Sequence, residues 1–236
     1  MENNMKFTEG YWLLSERTNG QFASQAYRIE AIENGLRVVA PTSPVLSRGD
    51  TLNQPTITIE FLAVSPEVIS VRAWHYEGYR TGEARFEKKE TTCDAVVTIT
   101  ENEAVLDAGR VSVHVDRKNW GYSFWADGKL LTSSGFRNIG YVRWDRSVSS
   151  MLPQDNYMKE HAYTPYMTQD LLLAPGENVY GFGERFTAFV KNGQVVETWN
   201  EDGGTASQVA YKNIPFYMTN RGYGVVVDHT DRKSVV

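Results

Sequence analysis

The chain has 236 residues, of which 41% are hydrophobic, and it carries a net charge of −5 with an isoelectric point near 5.5. This acidic balance argues against nucleic acid as a partner, because phosphate contacts need a basic surface. Cys93 is the only cysteine, which excludes an intrachain disulfide framework and a thiolate metal cluster.

The first half of the chain alternates apolar and polar residues with the period of β-strands. Strands are predicted at residues 26–31, 35–40, 55–63 and 68–76. The first two flank Asn34-Gly35, a dipeptide typical of hairpin turns. In the third, Ile57, Ile59 and Phe61 share one face, so this strand is expected to pack on a core.

The same alternation continues beyond residue 90. Further strands are predicted at residues 95–100, 104–106, 110–116 and 123–125. Asp127-Gly128 predicts a second hairpin, whose returning strand begins at Leu130. Residues 135–168 are less regular, and we predict a long surface excursion there, with structure resuming at Tyr166. No window of ten residues has a helical period, and neither a repeat nor a linker interrupts the chain. These features predict an all-β fold, a large β-sandwich with little helix, in one domain spanning residues 1–236.

The apolar runs and the N-terminus of the chain bear on its cellular location. No apolar run approaches the roughly 20 residues of a membrane span. The N-terminus lacks the basic segment and apolar run of a signal peptide. We therefore expect a soluble, cytoplasmic protein with no membrane partner.

Three motifs have plain structural interpretations. Gly181-Phe-Gly183 lacks the third glycine and the βαβ context of a dinucleotide-binding loop. Glu184 and Arg185, beside these glycines, are expected to stabilise a sharp turn rather than to act in catalysis. The histidines share no ligand spacing, so we predict neither a metal site nor a cofactor; they are His75, His114, His161 and His229.

The loop from Trp199 to Thr205 carries the chemistry expected of a sugar site. An aromatic ring offers a surface for sugar C–H groups, and the side chains of Asn200, Asp202 and Thr205 offer hydrogen bonds to hydroxyls. Asp202-Gly203-Gly204 can equally be read as a simple turn. The residues alone leave these two readings open, and no spacing identifies a second carboxylate for glycosidase catalysis.

The last quarter of the chain resembles the N-terminal domain of glycoside hydrolase family 31, most closely that of bacterial α-xylosidases. The matching segments are residues 180–186, 191–194, 198–205, 211–217 and 220–224. The resemblance implies a galactose mutarotase-like β-sandwich that packs on a catalytic (β/α)8 barrel. Both catalytic Asp residues of the family lie on that barrel, for which this chain has no room. We therefore expect no catalytic residues here.

The resemblance also implies roles for the loop. In the family, an Asp of this segment reaches the aglycone side of the active site, and it matches Asp202, with Trp199, Asn200 and Thr205 beside it. The first hypothesis is a non-catalytic module of a retaining, exo-acting α-glycosidase acting on α-xylosyl or α-glucosyl oligosaccharides. The alternative is a stand-alone carbohydrate-binding or mutarotase-like sandwich. An exposed apolar face, the one that packs on the barrel, is expected to make the chain a homo-oligomer.

Overall fold

The computed structural model describes residues 7–9, 13–52, 54–76, 93–145, 163–201, 209–229 and 233–235. These residues form short antiparallel strands and one short 3-10 helix, Arg48–Thr51. The all-β prediction is confirmed. Within the same ranges, no helix has the length and apolarity needed to cross a membrane.

The described residues group into two compact units. We call residues 16–52, 54–76, 93–145 and 163–172 the core unit. We call residues 7–9, 13–15, 173–201, 209–229 and 233–235 the loop unit. The assignment of the whole chain to a single domain stays a prediction.

Three sheets build the core unit. Its strands are β3 (Thr18–Phe22), β4 (Arg28–Ile32), β5 (Gly35–Pro41), β6 (Thr56–Ser65), β7 (Val68–Trp74), β8 (Val96–Ile99), β9 (Glu103–Asp107), β10 (Val111–Asp116), β11 (Gly121–Ala126), β12 (Lys129–Ser134), β13 (Ile139–Asp145) and β14 (Tyr163–Gln169). They are ordered β4-β5-β6-β7, β12-β11-β10-β9-β8 and β14-β13-β3.

The four-stranded and five-stranded sheets bury their inner faces in one shared core. Ile57, Ile59 and Phe61 are fully buried, as their alternation predicted. The Phe61 ring meets the Tyr122 ring of the other sheet edge to face, with centroids 5.1 Å apart. Two antiparallel sheets that share an apolar core form a β-sandwich, so this prediction is confirmed.

Both predicted hairpins form. Asp127 and Gly128 have φ angles of 49° and 73° and form the two-residue tip between β11 and β12. In the other hairpin, the tip is Glu33-Asn34 rather than Asn34-Gly35, since Gly35 is already paired with Ile32. Gly35 is required for packing, because a Cβ there would lie 2.3 Å from the Phe61 backbone oxygen.

The prediction of an irregular excursion over residues 135–168 is wrong for its two ends. Residues 139–145 form β13, which pairs with β3 on one side and β14 on the other. The strand β14 begins at Tyr163, not at Tyr166, and its Pro165 lies on the edge of the sheet. A proline is tolerated there because an edge strand leaves one side unpaired. Residues 146–162 lie outside the described ranges.

Seven short strands form the loop unit. They are β1 (Thr8–Glu9), β2 (Leu13–Leu14), β15 (Val179–Gly183), β16 (Val196–Thr198), β17 (Asn213–Thr219), β18 (Gly224–Val226) and β19 (Lys233–Val235). The central sheet has the order β15-β17-β18, while β1 pairs with β2 and β16 with β19. Its small core contains Val179, Phe182, Val196 and Tyr217, with Val225 packed against it.

Candidate functional site: the base of the Trp199 loop

The site is built on an irregular stretch of β15. Gly181, Phe182 and Gly183 have φ angles of 127°, 69° and 86°, and the pairing with β17 shifts register between the two glycines. A Cβ at Gly183 would lie 2.1 Å from the Lys212 oxygen, so only glycine fits there. The irregularity turns the Phe182 ring into the core, 5.6 Å from the Tyr217 ring. Phe182 here faces three residues of β17, 214–216; we call this interruption of the pairing the bulge, and it explains the glycines without a phosphate ligand.

Arg185 follows the bulge and is directed inward. Its guanidinium donates hydrogen bonds to the Phe182 oxygen at 3.2 Å, to the backbone oxygen of Glu197 and to Oδ1 of Asn213. Burial lowers the pKa of Arg185, and the nearby charge of Glu197 opposes this effect. Arg185 therefore stabilises the turn, as predicted.

Glu184, in contrast, points away from this network. It pairs with Lys212 at the surface, with Nζ and Oε1 3.0 Å apart. An exposed pair of this kind contributes little to stability. Glu184 therefore forms a surface ion pair, while Arg185 alone takes part in the network.

Asn213 joins Arg185 to the two segments on either side of residues 202–208, which we call the two ends of the Trp199 loop. Its Nδ2 donates to the Trp199 oxygen at 2.7 Å and to the Ala210 oxygen at 2.6 Å. The same nitrogen donates to Oδ1 of Asn200 at 2.9 Å, and the Asn213 backbone N–H donates to that oxygen at 3.2 Å. One side chain thus holds the residues that enter the loop and the residue that leaves it.

Backbone contacts close the same base. Asn200 and Ala210 form a parallel β-bridge, and the Glu201 N–H donates to the Ala210 oxygen at 3.0 Å. Before the loop, β16 pairs with β19 from Val196↔Val235 to Thr198↔Lys233. The loop therefore starts and ends on a fixed frame, which is what a side chain needs if it is to meet a ligand in one position.

The four predicted site residues fall into two groups. The Trp199 side chain is half-exposed, and Oδ1 of Asn200 is engaged by Asn213. Asp202 and Thr205 lie outside the described residues. Their roles in sugar binding stay predictions.

Sequence reasoning did not single out Asn213. It stands just before the apolar run of β17, where an asparagine reads as an ordinary strand boundary. Three of its four hydrogen-bond partners, Arg185, Trp199 and Asn200, lie at least 13 residues away, so no local spacing indicates its role. The only sequence signal for Asn213 is that it lies within residues 211–217, one of the segments that resemble the family.

The outer side of the β15-β17-β18 sheet is apolar and exposed. Ile214, Phe216 and Met218 alternate along β17 on the side opposite the buried Tyr217. Val226 and Tyr180 pair with Phe216 and Met218, so they share this side, and the Phe189 ring lies 5.2 Å from that of Tyr180. We call these six residues the apolar face. Ile214, Met218 and Val226 are each more than half exposed.

No group of three or more His, Cys, Asp or Glu side chains that could hold a metal ion occurs in the described part of the chain. Cys93 is buried as a free thiol and donates to the Ala108 oxygen at 3.2 Å.

Curated relatives match nearly the whole chain. An α-xylosidase, XylQ, from Lactiplantibacillus pentosus is 39% identical over 235 residues, which is 98% of this chain and 28% of the relative. An α-xylosidase from Emericella nidulans is 35% identical over 98% of this chain and 30% of its own length. The chain therefore spans less than a third of the curated relatives that it matches.

Solved structures share the fold at low sequence identity. The cycloalternan-forming enzyme of Listeria monocytogenes superposes with a TM-score of 0.62 at 14% identity, over 92% of this chain and 18% of that enzyme. A family 31 dextranase from Flavobacterium johnsoniae gives 0.58 at 17% identity, over 92% of this chain and 23% of the dextranase. An α-xylosidase from Xanthomonas citri gives a TM-score of 0.56 at 17% identity, over 85% of this chain and 19% of that enzyme.

The family described as the glycosyl hydrolase 31 N-terminal galactose mutarotase-like domain matches residues 57–235. The match covers the core strands from β6 onward and the whole base of the Trp199 loop, and it confirms the resemblance seen in the sequence. The chain belongs to the family of glycoside hydrolase 31 N-terminal, galactose mutarotase-like domains.

Proposed function

We propose that this chain is the non-catalytic, substrate-shaping module of a retaining, exo-acting α-glycosidase, and that the whole protein is an α-xylosidase. The family and the names of the two curated relatives support this assignment. The observation that carries it is the clamp formed by Asn213, which fixes both ends of the Trp199 loop. The carboxylate nucleophile and the acid/base carboxyl of such an enzyme would lie outside this chain.

Within this proposal, the loop forms the aglycone side of the active site. Asp202 accepts hydrogen bonds from hydroxyls of the leaving-group sugar, and Thr205 donates or accepts a further one. The half-exposed Trp199 ring offers its face to the sugar. Since Oδ1 of Asn200 is engaged by Asn213, the amide nitrogen of Asn200 is the group that we assign to the ligand.

The apolar face is the surface that we assign to the catalytic barrel of the whole protein. Ile214 directly follows the clamp residue Asn213, so the face and the loop base share strand β17. Packing of this face on the barrel would bring the loop toward the barrel mouth. Without the barrel, the same face would drive association of copies of the chain.

The aglycone role is tested by Asp202→Ala in the full-length gene product. We expect kcat/KM for an α-1,6-xylosyl-glucose disaccharide to fall about 10- to 100-fold, the effect of losing one or two hydrogen bonds to substrate. Hydrolysis of 4-nitrophenyl α-xyloside should be nearly unchanged, because its leaving group offers no sugar hydroxyls. Glu201→Ala is the matched control. An equal loss on both substrates, or none on either, would rule out this role.

The mutarotase-like alternative is less well supported. That chemistry needs a His acid and a Glu base on opposite sides of the sugar ring. His114 and Glu103 are a His–Glu pair within the described residues, but Nδ1 and Oε1 lie 2.9 Å apart, so no ring fits between them. A cytoplasmic location completes the proposal, because a chain with one cysteine lacks the disulfide framework that small secreted domains use.

A further inference from the structure

The outer face of the five-stranded sheet in the core unit groups polar side chains around one indole ring, with Val105 among them and Val96 and Leu130 on the flanking strands. The inner face of the sheet buries Ala104, Leu106, Val113 and Val115 in the core. The outer face carries carboxylates, hydroxyls, an imidazole and an indole, contributed by Glu103, Asp107, Ser112, His114, Ser123 and Trp125. We call these six residues the outer polar face.

Strand register places these groups in rows. Ser112 on β10 lies opposite Asp107 on β9 and opposite Trp125 on β11. His114, two residues further along β10, lies opposite Ser123. Because directly paired residues share a side of the sheet, the indole, the imidazole and the hydroxyls form one continuous patch.

Hydrogen bonds fix the side chains of this patch. Nδ1 of His114 lies 2.9 Å from Oε1 of Glu103, and its Nε2 lies 3.2 Å from Oγ of Ser112. The Trp125 Nε1–H donates to Oγ of Ser123 at 2.8 Å, and the indole lies tilted beside His114, with ring centroids 5.6 Å apart. A ligand would meet side chains already held in place, which reduces the entropy lost on binding.

The Ser112–His114–Glu103 chain has the connectivity of a hydrolytic triad but lacks the setting for one. From Ser112 to Asp116, β10 is paired with β9 on one side and β11 on the other. The backbone N–H groups around Ser112 are therefore used in the sheet and cannot stabilise an oxyanion. This arrangement fits recognition rather than hydrolysis.

Two shallow depressions meet at His114. One has a volume of about 290 Å³ and is lined by Asp107, Arg110, Ser112, Trp125 and Asp127, beside His114. The other, of about 460 Å³, extends along Ser123 and Ser133. Each is close to the size of a small-ligand site. Both depressions are open and share His114 in their lining, which suits a ligand that lies along the surface.

The charges on this surface favour a neutral ligand over an anionic one. Carboxylates of Asp107 and Asp127 border the first depression, and Arg110 is already paired with Asp127 at 3.1 Å and with Glu67 at 2.8 Å. The remaining acidic groups repel anions but accept hydrogen bonds from neutral hydroxyls. Charged groups are also depleted in the cores of protein interfaces, which disfavours a protein partner.

We propose that the outer polar face is a second carbohydrate-binding site that takes a neutral oligosaccharide, with Trp125 beneath a sugar ring and Ser112 and Asp107 on its hydroxyls. His114 is a positioning residue that holds the Ser112 hydroxyl and lies beside the indole. It lies in the core unit, while the Trp199 loop belongs to the loop unit, so the two sites do not share residues. The site is a binding surface and makes or breaks no bond.

Fluorine NMR of the full-length gene product labelled with 5-fluorotryptophan tests this site directly. The Trp125 resonance is identified by its loss in Trp125→Phe, and that of Trp74, on the four-stranded sheet, by its loss in Trp74→Phe. Titration uses isomaltotriose, maltotriose and an α-1,6-xylosyl-glucose disaccharide, with glucuronate as the anionic control. We expect at least one neutral sugar to shift the Trp125 resonance saturably, while the Trp74 resonance stays in place.

Two results separate this site from the loop. His114→Gln should weaken the Trp125 response about tenfold without changing kcat/KM for 4-nitrophenyl α-xyloside. Asp202→Ala should leave the Trp125 response intact even where it lowers activity. An unmoved Trp125 resonance at about 50 mM of every neutral sugar, well above millimolar binding, would overturn the proposal. So would a His114→Gln response equal to that of the wild type.

Discussion

The side-chain nitrogen of Asn213 lies 2.7 Å from the backbone oxygen of Trp199, the residue that opens the candidate sugar loop. The same nitrogen donates to the backbone oxygen of Ala210, which follows the loop in the sequence. An amide NH2 has two hydrogens, so these contacts and the one to Asn200 share them. One side chain thus supports the loop base together with the backbone contacts between Asn200, Glu201 and Ala210.

Asn213→Ala should loosen this base. The variant removes one of the acceptors of Arg185 and the side-chain donor to the Trp199 oxygen, so we expect a loss of about 2–4 kcal/mol in the free energy of unfolding. In the full-length gene product, kcat/KM for a disaccharide should fall as well. Chemical denaturation and steady-state kinetics measure the two effects.

Asn220→Ala is the matched control for Asn213→Ala. Asn220 also bridges backbone groups in the loop unit, accepting from the Asn178 N–H at 2.9 Å and donating to the Gly176 oxygen at 3.0 Å. Both of these bonds lie away from the Trp199 loop, so the loss of Asn220 should lower stability without the kinetic effect. Equal kinetics in the two variants would contradict the clamp.

Gly183→Ala should be far more damaging than Gly193→Ala. Both glycines have positive φ, at 86° and 73°, so each substitution strains the backbone by roughly 1–2 kcal/mol. At Gly193 no atom lies within 4 Å of the new Cβ, whereas at Gly183 it would lie 2.1 Å from the Lys212 oxygen. We expect Gly193→Ala to cost only the strain and Gly183→Ala to disrupt the β15–β17 pairing. Thermal unfolding of both variants checks this, and similar melting temperatures would contradict it.

Glu177 should make stability depend on acid pH. Burial by itself raises the pKa of its carboxyl, but the neighbouring Tyr223 side chain and a hydrogen bond from the Ala174 N–H at 2.8 Å outweigh burial, so the pKa lies below its ordinary value of 4.5. The unfolded state then binds the proton more readily than the folded state. The stabilisation is present above pH 4.5 and is lost as the pH falls through the folded pKa.

Glu177→Gln isolates this effect, since it keeps the shape of the side chain and removes its titration. We expect the wild type to lose more stability than the variant between about pH 6 and pH 3. Glu101→Gln, at an exposed turn, is the control and should follow the wild type. A parallel pH profile for the wild type and Glu177→Gln would show that this carboxyl is not responsible.

Ile214→Glu with Met218→Glu should reduce self-association of the 236-residue chain. The two side chains are 57% and 51% exposed at the centre of the apolar face, where introduced charges would oppose contact with any apolar surface. Val96→Glu with Ile99→Glu, on exposed apolar positions of β8, is the control. Sedimentation velocity over a concentration series measures the outcome. The prediction is wrong if the wild type is monomeric throughout or if both pairs of substitutions behave alike.

Local patterns were sufficient for most of the core unit. Alternation placed Ile57, Ile59 and Phe61 inside, and Asp127-Gly128 formed its hairpin, because each depends on neighbours along the chain. Strand β13 escaped prediction because its sequence mixes Gly140, Arg143 and Trp144 with apolar residues. It becomes a strand by lying between two partners, and such pairing is a tertiary effect that propensity does not report.

The candidate site was only partly predictable for the same reason. Aromatic, amide and carboxylate groups in one loop indicated a sugar site, and the family resemblance indicated which loop. The frame beneath it could not be inferred, since Arg185 and Asn213 meet only after the β15 bulge has formed. From the sequence alone neither side chain has a preferred partner, because many other residues could form an equivalent hydrogen bond with it.

Strand β3 has a consequence for how the core unit reaches its structure. Phe22 on β3 pairs with Gly140 on β13. All strands of the four-stranded and five-stranded sheets, β4 to β12, lie between these two residues in the sequence. Hairpins such as β4–β5 close short loops, whereas β3 must wait for β13 and close a very long one. Folding of the core unit should therefore be slow, with its final phase being the docking of β3 after the sandwich has condensed.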